Sequence, residues 1–378
     1  IMKALSDGRV SINKLSDADD TQILKSILHR SDKEIDVGDA GTAMRFLTAY
    51  FANRSGEWIL HGSNRMNFRP IGPLVDALNQ LGADIEFLNE KGYPPIKIKG
   101  RPLEGGKINI RADLSSQYIS ALMMIGPKMK HGLVLDLQGN VLSYPYIEMT
   151  AGLMRQCGVR IDMTPKKIII HPGEYGQRTL IVEPDWSAAS YWYSIAALAD
   201  EAEISLPALK DKSLQGDSQI QKIMKIFGIA TDKTEKGILI SNLGLSLETN
   251  QVLDLKTCPD LAQTIIVIAA ALGKNMSFTG LETLKIKETD RIAALQNELA
   301  KIGVTLTEDN LIYTLNTDEL HFPEKITIAT YEDHRMAMAF APLALLINEV
   351  EIEEMQVVEK SYPYFWEDLK KAGFSVEE

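Results

Sequence analysis

Apolar and polar residues along this chain fall into three recurring patterns. The first is a nearly continuous apolar run opened by an aspartate: Asp39 in DAGTAMRFL, Asp113 in DLSSQYISAL, Asp185 in DWSAASYWYSIAAL, Asp260 in DLAQTIIVIAAAL and Asp333 in DHRMAMAFAPLAL. The second has apolar residues at helical spacing and ends in a glycine before a strand-like stretch: PLVDALNQLGADIEF, IEMTAGLMRQCGVRIDM, IQKIMKIFGIATD, IAALQNELAKIGVTL and YFWEDLKKAGFSV. The third is short and β-rich, as in WIL, IKIKG, KINI, LVLDL, KIIIH, TLIVE, ILIS and KITIA.

The aspartates stand 72 to 75 residues apart, and the glycines (82, 158, 228, 303 and 373) keep step with them. A carboxylate before an apolar run predicts a helix N-cap, because its oxygen accepts N–H groups left over in the first turn. A glycine at the far end predicts a C-terminal residue with positive φ. Each repeat therefore holds one capped, mostly apolar helix and one amphipathic helix, in the order β-α-β-α-β-β. An apolar helix flanked by amphipathic ones predicts an α/β fold with helices buried inside and sheets outside. Long-period repeats define the whole architecture. If the copies surround a common axis, several helix N-termini gather in one region, and such termini attract anions.

Three units fit before about residue 184, the first of them a compressed one around residues 21–35, and three after it. The domains are thus expected at 1–183 and 184–378, with GEYGQRTLIVEPD as the crossing. Only 18 residues separate Asp20 from Asp39. The opening IMKALSDG reads as the last turns of a helix already in progress, which suggests a fragment or an internal start.

Composition narrows the function. With 45% hydrophobic and 24% charged residues the chain is an ordinary globular protein. The longest apolar candidate, residues 265–272, is far too short to span a membrane. A net charge of −11 disfavours nucleic acid as a partner, since a phosphate backbone demands a basic surface. A small anion remains compatible, because local basic clusters can oppose the overall sign. Two cysteines, Cys157 and Cys258, argue against a disulfide framework and against a zinc site of the CxxC kind, and a reducing cytoplasm is the simplest compartment.

Basic residues cluster at helix starts: Arg45, Arg65 and Arg69 (GSNRMNFRPIG, before a helix expected to open at Pro70), Lys287 and Arg291 (KIKETDRIAAL), the Asp333–His334–Arg335 triplet, and Lys360 before SYPYF. Taken singly, each is a solvated loop or an ordinary capped helix start, with Thr289 or Asp290 as cap in KETDR. Ser115, Ser116 and Gln117 are capping residues by the same reading, and Ser143–Tyr146 a turn. Together they fall at equivalent points of the repeat, and arginine suits bidentate contact with carboxylate or phosphate while lysine acts as a point charge.

In order and over nearly the whole chain, GDAGTAMR, RPIGPLVDAL, SSQYISALMM, SYPYIEMT, KIKETDR and YEDHRMAMA resemble the 5-enolpyruvylshikimate-3-phosphate synthase family of enolpyruvyl transferases. The resemblance implies a two-domain inside-out α/β barrel of about six βαβαββ units, the first incomplete, closing on substrates bound between its halves. It implies transfer of the enolpyruvyl group of phosphoenolpyruvate to the 5-hydroxyl of shikimate 3-phosphate, with no metal or organic cofactor and a monomeric state. Ser115, Ser116, Gln117, Ser143 and Tyr146, with Arg65 nearby, would contact shikimate 3-phosphate. Arg69, Arg291, Arg335 and Lys360 would clamp phosphoenolpyruvate. Asp260 and Glu288 would be the carboxylates at the reacting atoms, with Lys287 and His334 beside them. Gly41 would leave room for the inhibitor glyphosate.

The related UDP-N-acetylglucosamine enolpyruvyl transferase shares the fold but differs at KETDR and DHRMAM, and a catalytically silent anion binder on the same scaffold is the reading from a different class. Against the family pattern, Asp39 stands where asparagine is common and Phe46 where proline is common. The family's N-terminal Lys-Ser motif, with its nearby arginine, would lie before Ile1, so impaired turnover is expected of the chain as it starts here.

Overall fold

The computed structural model describes residues 1–113, 115–141, 143–244 and 252–377. The chain divides into two compact units, Ile1–Val182 and Glu183–Glu378.

In the first unit, two four-stranded sheets have the same plan. Glu34–Asp36, Gly56–His61, Ile96–Gly100 and Asp84–Phe87 form one; Gly106–Arg111, Leu133–Gln138, Lys167–Ile170 and Ile161–Thr164 form the other. In each, the first two strands run parallel, as a crossover through a helix requires, and the remaining pairings are antiparallel. Alternation does what the sequence predicts: Leu133, Leu135 and Leu137 are buried while Val134 and Asp136 lie on the opposite face. Compression of the first repeat is visible as well. Helices Met2–Leu5 and Asp19–His29 flank the strand Val10–Asn13, and the next strand begins at Glu34 with no hairpin between. Val10–Asn13 pairs in parallel with Arg178–Ile181, so that strand lies in neither four-stranded sheet.

The second unit repeats the plan with variations. One sheet orders Glu203–Pro207, Gly237–Asn242 and Ile229–Lys233; a second orders Val252–Asp254, Met276–Thr279, Ile312–Asn316 and Thr305–Asp309; Lys325–Ile328 pairs in parallel with Glu349–Ile352.

The two kinds of helix are sorted by burial. Gly41–Ala52, Ser116–Ile125, Trp186–Leu198, Ala262–Ala271 and His334–Phe340 are buried on nearly every side, whereas Gly72–Gln80, Tyr144–Gln156 and Arg291–Ala300 bury one stripe. Buried apolar helices with sheets around them make the inside-out arrangement. All five glycines after the amphipathic segments have φ between +74° and +104°. The segment IQKIMKIF is one α-helical turn, Ile220–Ile223, that tightens into a 3-10 turn, Met224–Phe227.

The caps need correction at three of the five aspartates. Asp185 and Asp333 do cap, accepting from the N–H of Ser187 (2.8 Å) and of Arg335 (2.9 Å). Asp39 lies one residue too early, since Ala40 is the N-cap, and its carboxylate accepts from the Ser63 hydroxyl instead. Asp113 is held by Arg111 through two bonds of 3.1 and 3.0 Å, which leaves Ser115 as the cap. Asp260 sits inside the 3-10 turn Pro259–Leu261, so its carboxylate leaves the helix axis and turns to cations. Pro70 does not open its helix either: Gly72 does, with Pro73 in the first turn.

Candidate active site

In the first unit, two arginines converge on the N-terminus of the Gly41–Ala52 helix. Arg45 Nη1 donates to the Gly41 carbonyl at 2.8 Å, and Arg69 Nη1 donates to the Asp39 carbonyl at 3.2 Å; both side chains are buried. A Cβ on Gly41 would lie 2.4 Å from Arg45 Nη1 and 2.6 Å from Arg69 Cζ. With no Cβ, Gly41 lets both guanidinium groups rest against this turn, and a larger residue would push them aside. The Pro70 carbonyl accepts from Arg45 Nη2 (3.3 Å) and from the Tyr118 hydroxyl (2.5 Å), which ties the Arg69 loop to the neighbouring helix. Gln117, in the first turn of Ser116–Ile125, donates to Thr42 Oγ1 at 3.1 Å, so the starts of two buried helices meet.

The remaining first-unit residues are placed more loosely. Ser115 serves as N-cap, and Ser116 opens the same helix. Ser143 precedes Tyr144–Gln156 in the left-handed region (φ 55°, ψ 38°), and Tyr146 lies in that helix's first turn. Arg65 is exposed at the start of the 3-10 turn Met66–Phe68.

The second unit holds a denser charge cluster. Arg291 Nε donates to Asp333 Oδ2 at 2.6 Å, its Nη2 to Glu288 Oε2 at 2.8 Å, and its Nη1 reaches Asp260 Oδ1 at 3.4 Å. Arg335 Nη2 lies 3.2 Å from Asp260 Oδ2, and Lys287 Nζ 3.5 Å from Asp260 Oδ1. The Asp290 cap, accepting from the N–H groups of Ile292 and Ala293 at 3.1 Å, fixes the helix that carries Arg291. Depth sorts the members. The side chains of Arg291 and Asp333 are 2% and 0% exposed, while Asp260, Glu288 and Arg335 are 20%, 15% and 12% exposed. The outer three are accessible to a ligand. Arg291, expected as an anion clamp, is enclosed by three carboxylates. Lys360 ends the 3-10 turn Met355–Lys360, half-buried.

Burial opposes ionisation of Asp260, but Arg335, Lys287 and Arg291 outweigh it and hold this carboxyl well below its usual range. Nearby Asp217 goes the other way: burial, then the charge of Asp260, pushes it up to about 6. Asp217 is thus the weaker acid of the two, because burial and the Asp260 charge act on it while the Ser187 hydroxyl, donated to its carboxylate, offsets them only in part.

Burial lowers His334 from 6.5 to about 4, against the pull of Asp333, whose Oδ1 is 3.7 Å from its Nδ1. The imidazole is therefore neutral near pH 7 and suited to accept rather than donate a proton there. Below pH 6.5 the unfolded chain protonates this histidine while the folded one does not. The stability difference between the parent protein and His334→Gln should accordingly be constant above pH 6.5 and fall as pH drops toward 4. The slope should reach about 1.4 kcal/mol per pH unit. Denaturant titrations of both proteins between pH 4 and 8 check it; a pH-independent difference would mean that His334 is not buried in its neutral form.

The profile of the EPSP synthase family, 3-phosphoshikimate 1-carboxyvinyltransferase, matches residues 1–369. The chain is 47% identical over 378 residues to the 3-phosphoshikimate 1-carboxyvinyltransferase of Bacteroides fragilis, covering all of this chain and 92% of that one. The chain belongs to the EPSP synthase family. The Methanospirillum hungatei relative of the same name is 34% identical, covering 98% of this chain and 92% of its own length. Among solved structures, EPSP synthase from Acinetobacter baumannii superposes with a TM-score of 0.71 at 22% identity, over 91% of this chain and 80% of that one. The enolpyruvyl transferase NikO from Streptomyces tendae superposes at 0.64 and 16% identity, over 88% and 76%. These two likenesses establish the inside-out fold.

Within this fold, some participants have no site role that the sequence alone assigns. Arg45 carries a signal, since it stands four residues after Gly41 on one helix face. Asp333 is both cap and partner of Arg291, and only its capping role is legible from spacing. Asp217, in SLQGDSQI, and Ser187 carry no local signal; only the fold brings them to Arg335. Among the described residues no cluster of His, Cys, Asp and Glu is placed to hold a metal ion, and no helix is long and apolar enough to cross a membrane.

Proposed function

We infer that this member of the EPSP synthase family transfers the enolpyruvyl group of phosphoenolpyruvate to the 5-hydroxyl of shikimate 3-phosphate and releases phosphate. What carries the reading is the joining of Asp260, Glu288, Lys287 and Arg335 in one partly exposed cluster, in a chain of this family. The hydroxyl oxygen adds to C2 of phosphoenolpyruvate as C3 gains a proton. The tetrahedral adduct then loses phosphate, and C3 returns a proton, so the reaction balances with no redox partner. One group must take the hydroxyl proton and another must protonate a weakly basic vinyl carbon. Asp260, ionised and beside Lys287, suits the first role. Glu288, held through one oxygen by Arg291, suits proton transfer at C3.

Ser115, Ser116, Gln117, Ser143 and Tyr146 are assigned to shikimate 3-phosphate, with Arg65 near its phosphate. Arg69, Arg335 and Lys360 are assigned to phosphoenolpyruvate. Arginines fixed beforehand stabilise the departing phosphate without reorganising as charge develops. Gly41, against which Arg45 and Arg69 rest, is assigned to the phosphoenolpyruvate pocket, where glyphosate, an anion of similar size, would compete.

Phosphate release by the full-length protein, measured with each substrate omitted in turn, tests the reading. Release is expected only with both present. No release with both, or release with UDP-N-acetylglucosamine replacing shikimate 3-phosphate, would overturn it.

A further inference from the structure

Arg335 is held on one side by neutral acceptors. Its Nη1 donates to the backbone carbonyl of Asp260 at 3.1 Å, and its Nη2 reaches Ser187 Oγ at 3.4 Å. Neutral acceptors fix the plane of a guanidinium without neutralising its charge. A hydroxyl can do so only if its own hydrogen points elsewhere. Here it does: Ser187 donates to Asp217 Oδ2 inside a buried pair.

Asp217 is itself set by its neighbours along residues 213–219. Gln215 accepts from the Trp186 N–H and donates to the Pro184 carbonyl, both at 2.9 Å. Ser213 donates to Glu183 at 2.7 Å, and Gln219 donates to Thr257 at 3.0 Å. This segment is thereby fastened to the start of the Trp186–Leu198 helix and to the approach to Asp260. Its acidic side chain lies behind Ser187, one hydroxyl removed from Arg335.

We propose that Asp217, acting through the Ser187 hydroxyl, is a positioning residue that holds Arg335 in the orientation in which it meets phosphoenolpyruvate; this rests on the assignment of Arg335 made above. Without the carboxylate, the Ser187 hydrogen can turn toward Arg335. The guanidinium then loses an acceptor on that side and turns further toward the Asp260 carboxylate, already 3.2 Å from its Nη2.

The test is a double-mutant cycle on phosphoenolpyruvate affinity, measured by calorimetry on the full-length protein with shikimate 3-phosphate present, every protein carrying Glu288→Gln so that the pair is turned over too slowly to disturb binding. Asp217→Ala and Ser187→Ala should each weaken phosphoenolpyruvate about tenfold, the usual scale for a hydrogen bond to a charged group. Affinity for shikimate 3-phosphate should be unchanged. The double variant should be no worse than either single one, because both remove the same link. Asp217→Asn, whose amide oxygen still accepts from Ser187, should recover most of the loss. Additive losses, an Asn variant as weak as Ala, or equal loss of both ligands would overturn the proposal, as would a Glu288→Gln parent that binds no phosphoenolpyruvate. Because calorimetry needs no turnover, a parent that binds both ligands, with a wild type that releases no phosphate, would sink the transfer reading alone.

Discussion

Glu288→Gln should lower the turnover number by about 10²–10⁴-fold, the range a general acid or base contributes. Affinity for shikimate 3-phosphate should stay nearly the same. The reasoning is local. Glutamine has the shape of glutamate and can still accept from Arg291 Nη2, which lies 2.8 Å from Glu288 Oε2, so the buried ion cluster keeps its geometry. What disappears is the ability to hand a proton to a carbon and take it back, an effect realised only in the transition state. Steady-state phosphate release gives the first quantity and calorimetry the second. Parallel loss of turnover, ligand affinity and stability would make Glu288 a structural member of the cluster instead.

The fold was largely legible because its signals are local. Alternation in LVLDL, the apolar run in DLAQTIIVIAAAL and the glycines at 82, 158, 228, 303 and 373 each report a backbone state fixed by the nearest few residues. Prediction failed where a side chain had two competing partners. Asp113 and Asp260 resemble N-caps on spacing, yet an arginine two residues away takes the first, and cations from distant helices take the second. Backbone N–H groups lose that competition because a charged partner at the same distance gives a stronger bond.

The site divides in the same way. Gly41, Arg69, Gln117, Asp260, Glu288 and Arg335 carry motif signals, and within each unit the structure brings its members together. Their roles depend on depth, which spacing does not encode. Arg291 and Arg335 look equivalent in KETDR and DHR. One is almost sealed among carboxylates and the other remains partly exposed. Ser187 and Asp217 lie 30 residues apart, with the rest of the Trp186–Leu198 helix and the strand Glu203–Pro207 between them, and only the fold joins them.

That difference in depth leads to the largest expected effect on stability. Arg291→Met should destabilise the protein by about 3–5 kcal/mol, the cost of removing one partner from a buried ion pair. Methionine fills a comparable volume, so the loss is electrostatic rather than a cavity. It strands Asp333, which is wholly buried and 2.6 Å from Arg291 Nε, and removes a neighbour from Glu288 and Asp260. Arg291→Lys should recover little, since an ammonium cannot present the fork that meets Asp333 and Glu288 together. The compensating change is Asp333→Asn. An asparagine oxygen still caps the His334–Phe340 helix by accepting from the Arg335 N–H, at no buried charge. The double variant Arg291→Met/Asp333→Asn should therefore be more stable than Arg291→Met alone, a reversal that simple loss of packing cannot give. Denaturant unfolding of the parent, both single variants and the double variant supplies the comparison. If Arg291→Met unfolds like the parent and loses only phosphoenolpyruvate affinity, then Arg291 is an anion clamp after all, and the carboxylates around it keep their places without it.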